Sequence, residues 1–288
     1  MKSPVWQIDL RMNGYLFGCL LLLAFWLLIR IGLGLRKDPK RTWMLREFWW
    51  ASLTCAALGF TEPLFVPEYW SPPSILKLGR WDFESFPFCL AVGGITAVLA
   101  ELPPFKGFLV DLYFSFERGL RRVLALISRM TGHRIHAAIL DQGAVSVLIP
   151  RDQLRIENML LVTFSLAVFG VTGQFAINII YKAAIVSFSS ALWIAWRRPS
   201  LRWQVLGGGI SFTLLYTVVL LVVPLRYPDF YTHWNLPALS GRHIFKAPAE
   251  EYLYAFTFGS FWAPLYEAWK QSRIYEEPAS NTMPVGLP

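Results

Sequence analysis

Residues 158–196 read NMLLVTFSLAVFGVTGQFAINIIYKAAIVSFSSALWIAW, a tract whose single charged side chain is Lys182. A helix needs about 20 apolar residues to cross a bilayer's hydrocarbon, so the tract is too long for one crossing and has the length of two. Lys182 is expected to mark the turn between them. Working outward, further apolar runs lie at 13–34, 48–65, 84–102, 203–224 and 250–268. The expected fold is therefore all-α, a polytopic membrane helix bundle of about seven transmembrane helices.

Composition agrees. The 288 residues are 55% hydrophobic and 16% charged with a mean hydropathy of +0.42, whereas soluble domains carry about a quarter charged residues. The net charge of +8 points to topology rather than to nucleic acid, because the basic residues cluster beside apolar runs. Arg36, Lys37, Lys40, Arg41 and Arg46 crowd the first loop, and Arg118, Arg121, Arg122, Arg129, Arg134, Arg151 and Arg155 the third connection. Both are expected in the cytoplasm, which puts the N terminus outside and the C terminus inside, in what reads as a prokaryotic inner membrane. Cys19, Cys55 and Cys89 sit within apolar segments and read as packing residues. The four histidines show no metal-ligand spacing, and no metal is expected.

Four segments follow: a first membrane repeat over 1–105, a cytoplasmic interfacial insert over 106–157, a second membrane repeat over 158–275 and a disordered tail over 276–288. Within the insert, Phe105 to Met130 mixes aromatics with arginines at helical spacing, which suits an interfacial helix; 135–150 reads as strand or loop. The repeat rests on order and register. Pro63-Leu64 and Pro67-Glu68-Tyr69-Trp70 precede Asp82-Phe83-Glu84-Ser85, as Pro224-Leu225 and Pro228-Asp229-Phe230-Tyr231 precede Pro248-Ala249-Glu250-Glu251. A shift of 166 positions carries Glu84 onto Glu250, Ser85 onto Glu251, Gly93 onto Gly259 and Glu101 onto Glu267. In the expected topology the two halves run the same way, a parallel tandem repeat, and such transport folds hold their sites at the repeat interface.

The candidate catalytic residues are Glu250, Glu251 and Glu84. Carboxylates crowded in a low-dielectric site repel each other's ionisation, which keeps one as a neutral proton donor; the plainer reading is acids complementing helix N-termini. Glu101 and Glu267, about 25 Å further along their helices, read as solvated acids at the opposite interface and stay outside catalysis. Tyr252, Tyr254, Phe256, Phe86, Phe88 and Trp70 are the candidate substrate-binding residues, as the aromatic lining of a slot for a long apolar molecule; their ring faces can also stabilise a cation.

At these residues the chain resembles the membrane-integral lycopene cyclase family, the heterodimeric bacterial and fused archaeal and fungal type, whose two small halves each carry a Pro-x-Glu-Glu/Asp motif. Pro248-Ala249-Glu250-Glu251 followed by Tyr252-Leu253-Tyr254 looks like that motif, and Pro67-Glu68-Tyr69-Trp70-Ser71-Pro72-Pro73 is similar to fused members. The first half departs from it, with Asp82 in place of the proline and Ser85 in place of the second acid, which points to the second half as the active one. The resemblance implies a carotenoid cyclase working by redox-neutral isomerisation: protonation of a terminal isoprenoid double bond, ring closure on the cation, and proton loss. This chemistry needs no cofactor. The implied partners are the lipid bilayer and a linear carotenoid or other isoprenoid, with no nucleic acid, and a homo-oligomer is compatible with it. The competing reading is a transporter or carrier of a lipid or small solute, with Glu84, Glu250, Glu251, Gln174 and Asn178 as its polar pathway.

Overall fold

A computed structural model describes residues 6–8, 12–37, 39–102, 105–131 and 149–271. The expectations for 135–150 and for the tail over 276–288 fall almost wholly outside them, as do His133 and His136. The long helices are α1 (Gly14–Leu35), α2 (Arg41–Ala56), α4 (Ser85–Leu99), α5 (Phe105–Thr131), α6 (Arg151–Gly173), α7 (Ile179–Arg197), α8 (Arg202–Arg226) and α9 (Ala249–Lys270). Among the described residues, four helical stretches are long and apolar enough to cross a membrane: α1, α6, α7 and Pro199–Arg226, which includes α8. The other three expected spans also coincide with helices but fall outside that group. Helix α4 has 15 residues, while α2 carries Arg41, Arg46 and Glu47, and α9 carries Glu250, Glu251, Glu267 and Lys270.

Some boundaries have a clear local cause. Asn13 caps α1, its Oδ1 accepting from the Leu16 N–H at 2.8 Å, and Asn178 caps α7 in the same way through the Ile180 N–H at 3.1 Å. The turn between α6 and α7 therefore runs from Gln174 to Asn178, ahead of Lys182, which lies in the first turns of α7. Capping by Asn178, rather than the one charge in the tract, decides where the chain reverses. Helix α2 tightens after Ala56 into a 3₁₀ stretch, Ala57–Thr61, and ends in a short turn, α3 (Glu62–Phe65).

Two small hairpins lie just before α4 and α9. Strands β2 (Leu76–Leu78) and β3 (Trp81–Asp82) pair Lys77 with Asp82 and Leu78 with Trp81; β1 (Trp6–Ile8) adds a third, antiparallel strand to β2. Strands β4 (His243–Ile244) and β5 (Ala247–Pro248) pair His243 with Pro248 and Ile244 with Ala247, the same register 166 positions on. Both turns begin at positive φ, +64° at Gly79 and +48° at Phe245.

The helix pairs behind the hairpins also correspond. A Cβ added at Gly93 of α4 would lie 2.5 Å from the Ala51 carbonyl oxygen of α2, and one at Gly259 of α9 would lie 2.6 Å from the Gly208 carbonyl oxygen of α8. Backbones this close leave no room for a side chain, so the Gly207-Gly208-Gly209 run serves helix packing. The buried core joins both halves, with Phe48, Ile95, Ile180, Phe212 and Leu220 among its most enclosed side chains.

Candidate active site

A cavity of about 320 Å³ lies between the halves, at the small end of the ~300–1,000 Å³ typical of ligand sites. Its wall is mostly apolar and aromatic, including Phe88, Trp70, Tyr254, Phe258 and Trp262, with Phe258 and Trp262 stacked at 5.4 Å between ring centres. Leu58, Leu64 and Phe169 line the cavity and are themselves partly exposed, so the cavity opens sideways between the Leu58–Phe65 segment and α6.

Two carboxyl groups, Glu62 and Glu251, line it. Glu251 is 4% exposed, and its oxygens accept from the Tyr69 hydroxyl, from the Trp234 indole N–H at 2.7 Å and from the Tyr216 hydroxyl at 2.7 Å. These donors come from the loop after α3, the loop after α8 and α8 itself. The pairing of Trp70 with Trp234, whose rings are 5.8 Å apart, holds the two loops together above the acid. A buried carboxylate without such donors would be strongly destabilising; three satisfy most of its acceptor capacity.

The other sequence candidates take different places. Glu250 is buried but does not line the cavity: one of its oxygens accepts from the Tyr181 hydroxyl and from the Ser240 N–H at 2.8 Å. Consecutive helical residues are rotated by about 100°, so adjacent glutamates cannot both face the same void. Glu84 likewise turns to the loop before it, accepting from the Ser74 hydroxyl and the Ile75 N–H. At the position matching Glu251, Ser85 faces the cavity and hydrogen-bonds with the Tyr15 hydroxyl at 2.9 Å.

Of the expected aromatic lining, Tyr254, Phe88 and Trp70 border the cavity. Tyr252 instead donates to the Ile244 carbonyl at 3.1 Å, Phe256 packs on Gly209, and Phe86 packs on Gly59 and Phe60. Gln174 and Asn178 also lie away from it, the latter donating to the Glu68 carbonyl at 2.8 Å.

Glu101 and Glu267 are not solvated. They are 6% and 4% exposed, because α4 and α9 end against neighbouring helices; Glu101 pairs with Lys106 at 2.8 Å and accepts from Gln204 at 3.2 Å. In the loop before α4, burial holds the Asp82 carboxyl above its usual range, although Lys77 lies 3.4 Å away and opposes the shift.

Within this frame the acid pair Glu250-Glu251, its donors Tyr216 and Trp234, and the brace Tyr181 all fall in one continuous stretch. Residues 178–269 match the lycopene cyclase family model. This is the family whose motif the sequence resembles. The match begins at the Asn178 cap of α7 and ends inside α9, about a third of the chain. No curated protein and no solved structure matches. Tyr69 and Glu62 reach the cavity from outside that stretch.

Sequence reasoning missed Glu62, Tyr216 and Trp234 as site residues. Glu62 had a signal, since an acid inside the apolar run 48–65 is costly in hydrocarbon and calls for a function. Tyr216 and Trp234 had none, because their convergence depends on how α8 and the following loop pack against α9.

Proposed function

We propose that this protein is a membrane carotenoid cyclase that closes an end group of a linear, lycopene-type polyene into an ionone ring by acid-initiated, redox-neutral isomerisation. The observation that carries the reading is Glu251: a motif carboxyl in the lycopene cyclase domain, buried in an aromatic cavity and held by three donors. Ring closure passes through a tertiary carbocation. A fixed carboxylate with aromatic ring faces around it stabilises that charge without offering a nucleophilic water, and a proton on or off the same carboxyl links cation to alkene. The exposed apolar rim at Leu58, Leu64 and Phe169 suits a substrate that arrives from lipid rather than from water.

The reading includes seven spans in two parallel tandem repeats. Matching hairpin registers, matching glycine contacts and the pair Tyr15 and Tyr181 at the same 166-residue shift support it. Reporters fused after Arg41, Arg155 or Arg198 should report cytoplasm and one fused at Ser240 the outside; the reverse pattern would overturn the orientation. The carrier reading draws no support from Gln174 and Asn178, which do not reach the cavity.

The test is expression in cells that accumulate lycopene, followed by pigment chromatography. The wild-type chain should convert lycopene to a cyclic product, and Glu251→Gln should lose that conversion with membrane protein levels unchanged. Unaltered pigment with the wild-type chain, or full conversion by Glu251→Gln, would remove the reading.

A further inference from the structure

Glu62 is the one other carboxyl among the described residues that lines the cavity, and nothing in the motif or in the matched stretch accounts for it. It is 8% exposed. Its Oε1 finds no hydrogen-bond partner among the described residues, while Ser85 and Trp70 lie close to the carboxyl. A buried carboxyl oxygen left unpartnered is destabilising, and a hydrogen-bonding partner brought by a ligand in the cavity would relieve that cost. Tyr254, which also lines the cavity, lies within electrostatic reach of both Glu62 and Glu251.

The two acids are unlike in what surrounds them. Around Glu251 there are three donors, and the indole N–H among them cannot accept a proton in return, so this site suits a carboxylate. Around Glu62 one oxygen has no partner among the described residues and the cavity lining is mostly apolar, so this site suits a carboxylic acid whose O–H is available to a ligand.

Building on the cyclase reading, we infer that Glu62 is a second catalytic residue and that the two acids divide the proton chemistry, Glu62 giving the proton and Glu251 taking it. The Glu62 O–H bond breaks as a C–H bond forms at the terminal alkene, leaving a tertiary cation on the adjacent carbon. The internal double bond supplies the electron pair for the ring C–C bond, and the new cation loses a neighbouring proton to the Glu251 carboxylate. That C–H pair becomes the ring double bond. When product leaves, Glu251 gives its proton up to solvent and Glu62 takes one from solvent, so the two acids are reset with no net proton, oxidant or reductant consumed.

The experiment uses the full chain in lipid nanodiscs loaded with lycopene in D₂O, read by mass spectrometry of both product and recovered substrate. Wild type should place one deuterium in each ring formed. Glu62→Gln should lower ring formation by about 10²-fold or more and return unlabelled lycopene. Glu251→Gln should also fail to form rings, but its lycopene should come back deuterated, because Glu62 still protonates the alkene and takes the proton back. Wild-type ring formation by Glu62→Gln would overturn the inference while leaving Glu251 and the cyclase reading in place. Label in the lycopene from Glu62→Gln but not from Glu251→Gln, or in neither, would overturn the division of roles. Should Glu62→Gln not reach the membrane, Glu62→Asp carries the test. It keeps the acid and displaces it by about 1 Å, which should cost about 10²-fold, and undiminished ring formation would overturn the inference.

Discussion

The starts of α4 and α9 are the same device put to different uses. In each, a two-residue hairpin turns into the helix and the first acid, Glu84 or Glu250, ties the preceding loop down by accepting from it. The next residue faces the cavity, and there the halves part: Ser85 meets one tyrosine hydroxyl, whereas Glu251 meets three donors. On the cyclase reading, one position braces and the neighbouring position works. On the same reading, a repeated fold keeps its architecture in both copies and confines motif chemistry to one, because the helical rotation separates the two tasks.

The comparison is broken most severely by exchanging the working positions. Glu251→Gln should reduce cyclisation by about 10²- to 10⁴-fold, while Ser85→Ala should stay within about threefold, measured as cyclic pigment per unit of membrane protein. Comparable losses in both would mean that the halves work as equals. Next in size are the donors: Tyr216→Phe removes one hydrogen bond to a charged group, ~1.5–3 kcal/mol or about 10- to 100-fold, and Tyr15→Phe should cost much less. Smaller again are the braces. Glu250→Gln and Glu84→Gln should each lower activity only several-fold and do so alike, with a loss of thermal stability of about 1 kcal/mol in detergent. If Glu250→Gln abolished turnover in folded protein, Glu250 would rejoin the working residues.

How far the sequence discloses this site depends on distance along the chain. The Pro248-Ala249-Glu250-Glu251 motif and the 166-residue register are local patterns, and they were enough to set Glu251 and Ser85 at equivalent helix starts, both of which the structure turns to the cavity. Which of two adjacent glutamates faces inward depends on the rotation of α9 against α8, set by the close contact of Gly259 with Gly208, and no periodicity shows that. The same holds for Tyr69 and Trp234, brought over Glu251 by loops that meet through the pairing of Trp70 with Trp234. Helix positions were legible because apolar length is a property of each segment alone; burial of Glu101 and Glu267 was not, because it belongs to the neighbours.

The sideways opening at Leu58, Leu64 and Phe169 changes what concentration means for this protein. On the cyclase reading, a polyene that partitions into lipid and enters from the flank is counted per unit of membrane area, so saturation should follow its mole fraction in the bilayer and not the amount per volume of suspension. Adding inert lipid at constant protein and constant substrate should slow the reaction by surface dilution alone, and the cyclised product, returned to the same two-dimensional pool, should compete with unreacted substrate as it accumulates.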